Sequence, residues 1–149
     1  MKNKSPIIWI IIIAVVVIGL FIFPKIFIKN NGANAKVPCL LPNMPMVQHI
    51  HPILKIEVDG ANEIIPNEIG LSSSCEKAIH THDEGDGTIH VEAQDNRQYT
   101  LNHFFSVWEK SISREGYNLE VTVDENVVQE PAKIIFKDGQ KIMMKYTKI

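Results

Sequence analysis

YTLNHFFSVWEKSIS, residues 99–113, is the stretch with the clearest helical period, and the rest of the fold has to be arranged around it. Leu101, Phe104, Phe105, Trp108 and Ile112 recur at three- and four-residue spacings and make one apolar stripe. Thr100 is placed to cap the start and Gly116 to stop the end. His103 falls about 200° around such a helix from Leu101, which makes it a solvated surface residue. A helix with a single apolar stripe buries it against a second layer.

The flanks supply that layer as strands. Residues 49–58 alternate, with Ile50, Leu54, Ile56 and Val58 on one face and His49, His51, Ile53, Lys55 and Glu57 on the other. Asp59-Gly60 signals a hairpin, with Ile64-Ile65 on the returning strand. Residues 78–83 and 88–93 flank a second turn signal, Asp86-Gly87. Beyond the helix, residues 119–123 alternate again, and residues 133–146 read as a hairpin about Asp138-Gly139. The expected class is α+β, a small mixed sheet packed on one helix. Its hairpin–helix–hairpin order is similar to the β-grasp arrangement of ubiquitin-like domains.

The chain opens on a different kind of segment. Residues 7–23 are uninterrupted apolar residues or Gly, and the apolar character resumes at Ile26-Phe27-Ile28. At ~1.5 Å rise per residue, positions 7–28 reach ~33 Å, enough for a hydrocarbon core of ~30 Å. The run is longer than the ~7–15 apolar residues of a secretory signal, although Ala33-Asn34-Ala35 is a small-residue cleavage pattern. The expected division is a transmembrane signal-anchor at 1–29, an extracytoplasmic linker at 30–47 and a His-rich domain at 48–149. The expected location is the cell membrane, crossed once, with the C-terminal domain outside the cytoplasm. Cys39 and Cys75, two cysteines in a small exported domain, are expected to form a disulfide.

Five of the fifteen basic residues and none of the seventeen acidic ones fall within the first 36 positions, so the remainder carries ten against seventeen. A nucleic-acid binder needs the opposite balance, and that class is set aside. The expected partners are the membrane itself and a protein of the membrane or envelope.

The chemistry points to the histidines. All six lie between positions 49 and 103, and four form two His-x-His pairs, His49-Ile50-His51 and His80-Thr81-His82. Side chains two apart on a strand share a face, and neutral imidazole is a common ligand of zinc and copper. His49 and His51 oppose Ile50 and Leu54, His80 and His82 oppose Ile79, and His90 and Glu92 oppose Ile89 and Val91. Five imidazoles thus avoid the expected core side in three segments able to pair with one another. The candidate ligands are His49, His51, His80, His82 and His90, with Asp83 as a carboxylate ligand or a group that orients a ring. Met44-Pro45-Met46, just upstream, adds thioethers that suit Cu(I). Two other readings remain open: a partner-binding accessory module with the His face as its interface, and a metalloenzyme using Glu92 or Asp83 as general acid or base. There is no phosphate loop or dinucleotide fingerprint, and Ser72-Ser73-Ser74 beside Cys75 has no ordered base.

The segments His49-Ile50-His51-Pro52, Ile79-His80-Thr81-His82-Asp83 and Gly87-Thr88-Ile89-His90-Val91-Glu92, with the helix residues Phe104-Phe105 and Val107-Trp108, resemble an uncharacterised family of small membrane-anchored extracytoplasmic domains of archaea and bacteria. The resemblance covers residues 49–146 and implies membership without an established activity. His103 and Lys110 depart from its pattern.

Overall fold

The computed structural model describes residues 36–82 and 85–149. The expected anchor at 1–29, residues 30–35 of the expected linker, and Asp83 lie outside them. Among the described residues, no helix is long and apolar enough to cross a membrane.

The domain is α+β, with mixed sheets and one α-helix among the described residues. In chain order the elements are β1 (Gln48–Ile50), β2 (Ile53–Val58), β3 (Ala61–Glu63), β4 (Leu71–Ser72), β5 (Cys75–Glu76), β6 (Ile79–His80), β7 (His90–Ala93), α1 (Leu101–Val107), β8 (Tyr117–Val123), β9 (Asn126–Val127), a 3₁₀ turn (Pro131–Lys133) and β10 (Lys141–Lys148). A five-stranded sheet runs β3-β2-β10-β8-β9, a three-stranded sheet runs β1-β7-β6, and β4 and β5 form a small hairpin. In the larger sheet β2 and β10 are parallel, with Leu54 opposite Ile142 and Ile56 opposite Met144; the other pairings are antiparallel.

Alternation explains which side each strand buries. Leu54 and Ile56 on β2, Val121 on β8, and Ile142, Met144 and Tyr146 on β10 join Leu101, Phe104 and Phe105 of α1 in one core. Ile79, Ile89, Val91 and Ala93 bring the inner side of the three-stranded sheet into the same cluster. At ~1.5–3 kcal/mol for each large apolar side chain, this shared burial is the main source of stability. The two sheets meet where residues 52–54 run beside 87–89: Leu54 donates its N–H to Gly87 O (2.9 Å) and Ile89 donates to Pro52 O (2.9 Å).

Five expectations change. Ile64 and Ile65 fall beyond the returning strand, since β3 ends at Glu63. Residues 49–58 are two strands in different sheets, because Pro52 has no N–H to continue a ladder. Residues 133–146 are not a hairpin: the 3₁₀ turn and Asp138-Gly139 lead into β10, which pairs with β2 and β8 instead. The helix stops after seven residues, at Val107 rather than near Ser113. Glu109 adopts the left-handed conformation (φ 59°), and Lys110 donates its N–H back to Phe105 O (3.0 Å), which closes a Schellman turn. His103, read as a surface residue, is buried. Thr100 N–H donates to its Nδ1 (3.0 Å), so the imidazole completes a capping box at the helix start.

The stretch upstream of β1 is tied to the domain. Val37 is in the core, and Cys39 is disulfide-bonded to Cys75 with a Cα–Cα distance of 5.3 Å. Closing that loop, a separation of 36 residues, contributes roughly 3–4 kcal/mol in the chain-entropy description.

The segment after α1 is held by Glu63, whose carboxylate accepts two bonds from Arg114 (2.7 and 3.0 Å) and one from Lys110 (3.4 Å). The Arg114 bonds hold the Glu63 carboxyl below its ordinary pKa. A depressed carboxyl pKa contributes stability above the unfolded value of ~4.3 that is lost as pH falls through the folded value. Because the pair is only partly buried and solvent still screens it, about 0.5–1 kcal/mol is at stake. Urea melts should therefore show wild type losing its margin over Glu63→Gln as pH falls below about 4.3. An unchanged margin down to full protonation would contradict this.

Candidate metal centre

Strand β7 is the platform. Its side chains alternate, with Val91 and Ala93 in the core and His90 and Glu92 on the opposite face. β6 pairs with it so that His80 stands opposite His90, and β1 pairs on its other edge so that His49 stands opposite Glu92. Residues directly opposite in an antiparallel pair have Cβ atoms ~4.5–5.5 Å apart and share a face. Two ladders therefore gather His49, His80, His90 and Glu92 on one side of the three-stranded sheet. His51 and His82 follow just beyond the ends of β1 and β6, and their rings close the group.

His80 lies on the face away from the core side, as expected, yet it is fully buried. The loop around residues 66–70 covers it. A Cβ on Gly70 would stand 2.5 Å from Ile79 O and 3.3 Å from His80 Cβ, so only glycine permits this approach. Thr81 locks the same loop: its hydroxyl donates to Pro66 O (2.9 Å) and accepts from Ile69 N–H (3.0 Å). The backbone between His80 and His82 is thereby fixed. His80 Nδ1 lies 2.8 Å from Lys77 O, and a carbonyl only accepts, so Nδ1 carries the proton and Nε2 presents a lone pair. That lone pair meets His82 Nε2 at 3.1 Å. Nitrogens that far apart, each ~2.0–2.1 Å from one ion, subtend roughly 95–100° at it, a workable ligand angle.

The other pair is more open. His49 Nε2 is 3.2 Å from Glu92 Oε1, and His51 Nδ1 is 3.6 Å from Asp138 Oδ1. The Asp138-Gly139 turn anchors His51 through its backbone as well: Asp138 Oδ1 accepts from His51 N–H (2.9 Å) and Gly139 N–H donates to His51 O (3.3 Å).

His90 sits between the two pairs, with ring centroids 4.4 Å from His82, 5.5 Å from His80 and 4.8 Å from His51. Both of its ring nitrogens are buried and neither makes a hydrogen bond. Leaving such a group unsatisfied costs about 1–3 kcal/mol, a penalty that demands an explanation. Burial lowers the pKa of His90, and His82, His51 and His80 around it add to the shift. Burial likewise lowers that of His80. Both shifts favour the neutral ring, the form in which imidazole donates to a metal. The cluster is also ringed by carboxylates, Glu92 beside His49 and His90, Glu76 3.7 Å from His80 Nε2, and Asp138 beside His51. A cavity of about 10 Å³ opens beside His82 and His90, room for one small ion or water.

Among the described residues, two groups have ligand atoms within 4.8 Å of one another: His80, His82, His90 and Glu92, and His49, His51 and His90. All five expected histidines are brought together. The sequence reading had Glu92 on the right face but not among the ligands; its i, i+2 relation to His90 was the signal. Thr81 and Asp138 left no comparable trace, because their roles depend on contacts 15 and 87 residues away. No protein-family model matches the chain, and no curated protein or solved structure is significantly similar to it.

Proposed function

We propose that this chain is a membrane-anchored extracytoplasmic domain that binds a transition metal, zinc or copper, through His80, His82, His90 and Glu92. The observation that carries the reading is His90: a buried imidazole with no hydrogen bond at either nitrogen, set among four other imidazoles and a carboxylate. Three neutral imidazoles and one carboxylate suit Zn²⁺ or Cu²⁺, and Glu76 beside His80 adds a compensating charge. The apolar run at 7–23 supports the anchor, and the disulfide supports an oxidising compartment. The order β3-β2-β10-β8-β9, with its central parallel pair and a helix between the two outer hairpins, supports a β-grasp-like arrangement for the larger sheet.

The test is metal retention and thermal unfolding of the untagged full chain in a non-chelating detergent buffer. Zn²⁺ or Cu²⁺ should survive desalting at one equivalent or more. Metal at ~100 Kd should add ~2.7 kcal/mol, raising Tm on the order of 10 °C. No retained metal together with an unmoved Tm would end the metal reading and favour the His face as a protein interface.

A further inference from the structure

The two ligand groups share one residue, and that residue has two unused nitrogens. His90 belongs both to the group with His80, His82 and Glu92 and to the group with His49 and His51. One imidazole nitrogen holds one ion, and the lone pairs of the two nitrogens point away from each other across the ring. A single ion therefore leaves the second buried nitrogen of His90 as unsatisfied as before. The structure provides for it: Nδ1 faces Glu92 Oε1 at 3.6 Å, the same oxygen that lies 3.2 Å from His49 Nε2. The rings of His51 and His82 both meet His90 nearly edge-on, at interplanar angles of 84° and 80°.

From this geometry we infer that the domain holds two metal ions bridged by the His90 ring, one on the His80–His82 side and one on the His49–His51 side. The inference rests on the metal-binding reading above. Binding of the second ion replaces the remaining N–H bond of His90 with a metal–nitrogen bond. The proton passes to the buffer, and the imidazolate then donates one electron pair to each ion. Metal charge is unchanged and no redox partner is needed. Glu92, on the His49 side of the bridge as well as among the first ligands, offers a second link between the ions, through its carboxylate. The site differs in kind from a closed structural zinc centre, since the His49–His51 side has only three protein nitrogens and leaves ligand positions for solvent or a small anion.

Cu²⁺ is the probe, because an imidazolate couples two copper spins antiferromagnetically. The untagged full chain is loaded, desalted, and measured for copper content and low-temperature EPR intensity. About two coppers per chain are expected, with an integrated signal well below two spins. His49→Ala/His51→Ala alters one exposed and one half-buried side chain outside the core and should retain about one copper with about one full spin. Two coppers with full uncoupled intensity, or one copper in wild type, would overturn the bridge while leaving the metal site standing. Two coppers in the double variant would overturn the assignment of the second site. No copper at all would remove both the bridge and the reading beneath it.

Discussion

Replacing His80 and His82 together with alanine is expected to weaken metal affinity by at least about a thousandfold. Structural four-ligand zinc sites gain ~10–16 kcal/mol, or ~2.5–4 per ligand, so losing two imidazoles removes ~5–8 kcal/mol before water refills the coordination positions. A thousandfold loss is ~4.1 kcal/mol, below the low end of that range, and the buried location limits how well water can substitute. The double variant also removes a buried ring bonded to Lys77 O, so the fold has to be checked separately. His82→Ala supplies the check. It leaves His80 in place and should lose about a hundredfold in affinity with near-wild-type denaturant stability. Competition titration against a chelator of known affinity reads both values. Equal affinities for wild type and the double variant would place the metal elsewhere.

The second large effect lies outside the ligands. Gly87→Ala is expected to destabilise the domain by ~3–5 kcal/mol, a large part of the ~5–15 kcal/mol available to a small domain. Gly87 has φ +86°, and a Cβ there would sit 2.1 Å from the Leu54 carbonyl oxygen. The new methyl group would meet the backbone of β2, which has no rotamer with which to retreat. It would also break the Leu54 N–H to Gly87 O bond that joins the two sheets. Because Gly87 stands three residues before His90, the same shift should loosen the platform strand. Gly139 and Gly60 make the contrast: both have positive φ, but a Cβ at either meets nothing within 4 Å. Alanine there should cost only about 1 kcal/mol of backbone strain. Urea melts of the three variants test the ranking; a Gly87→Ala midpoint no lower than that of Gly60→Ala would refute the close approach.

Local chemistry carried most of what the sequence told. Alternation and the Asp59-Gly60 and Asp86-Gly87 turns located the β2–β3 and β6–β7 hairpins, and Thr100 marked the helix start. The same alternation placed His90 and Glu92 away from Val91, which is why the histidine cluster could be anticipated at all. What the sequence concealed is non-local. The parallel return of β10 beside β2 joins residues more than eighty positions apart, and it removed the hairpin expected at Asp138-Gly139. That turn instead holds His51. The apolar stripe continued to Ile112 although the helix did not, because Ile112 packs against the core from the segment after the Schellman turn. His103 lay on the polar side of an ideal helix, yet its side chain turns back to the Thr100 backbone and is buried there. His80 was placed on the outer face correctly, but the loop folded over it through Gly70 and Thr81 could not be foreseen from alternation alone.

X-ray absorption at the metal edge of the zinc- or copper-loaded full chain puts the ligand set to the most direct test. The fitted shell should contain nitrogen and oxygen at ~2.0–2.2 Å, with the outer-shell scattering of about three imidazoles and no sulfur. A sulfur shell, which would implicate Met44 and Met46, or a shell of oxygen without imidazole scattering would contradict the account.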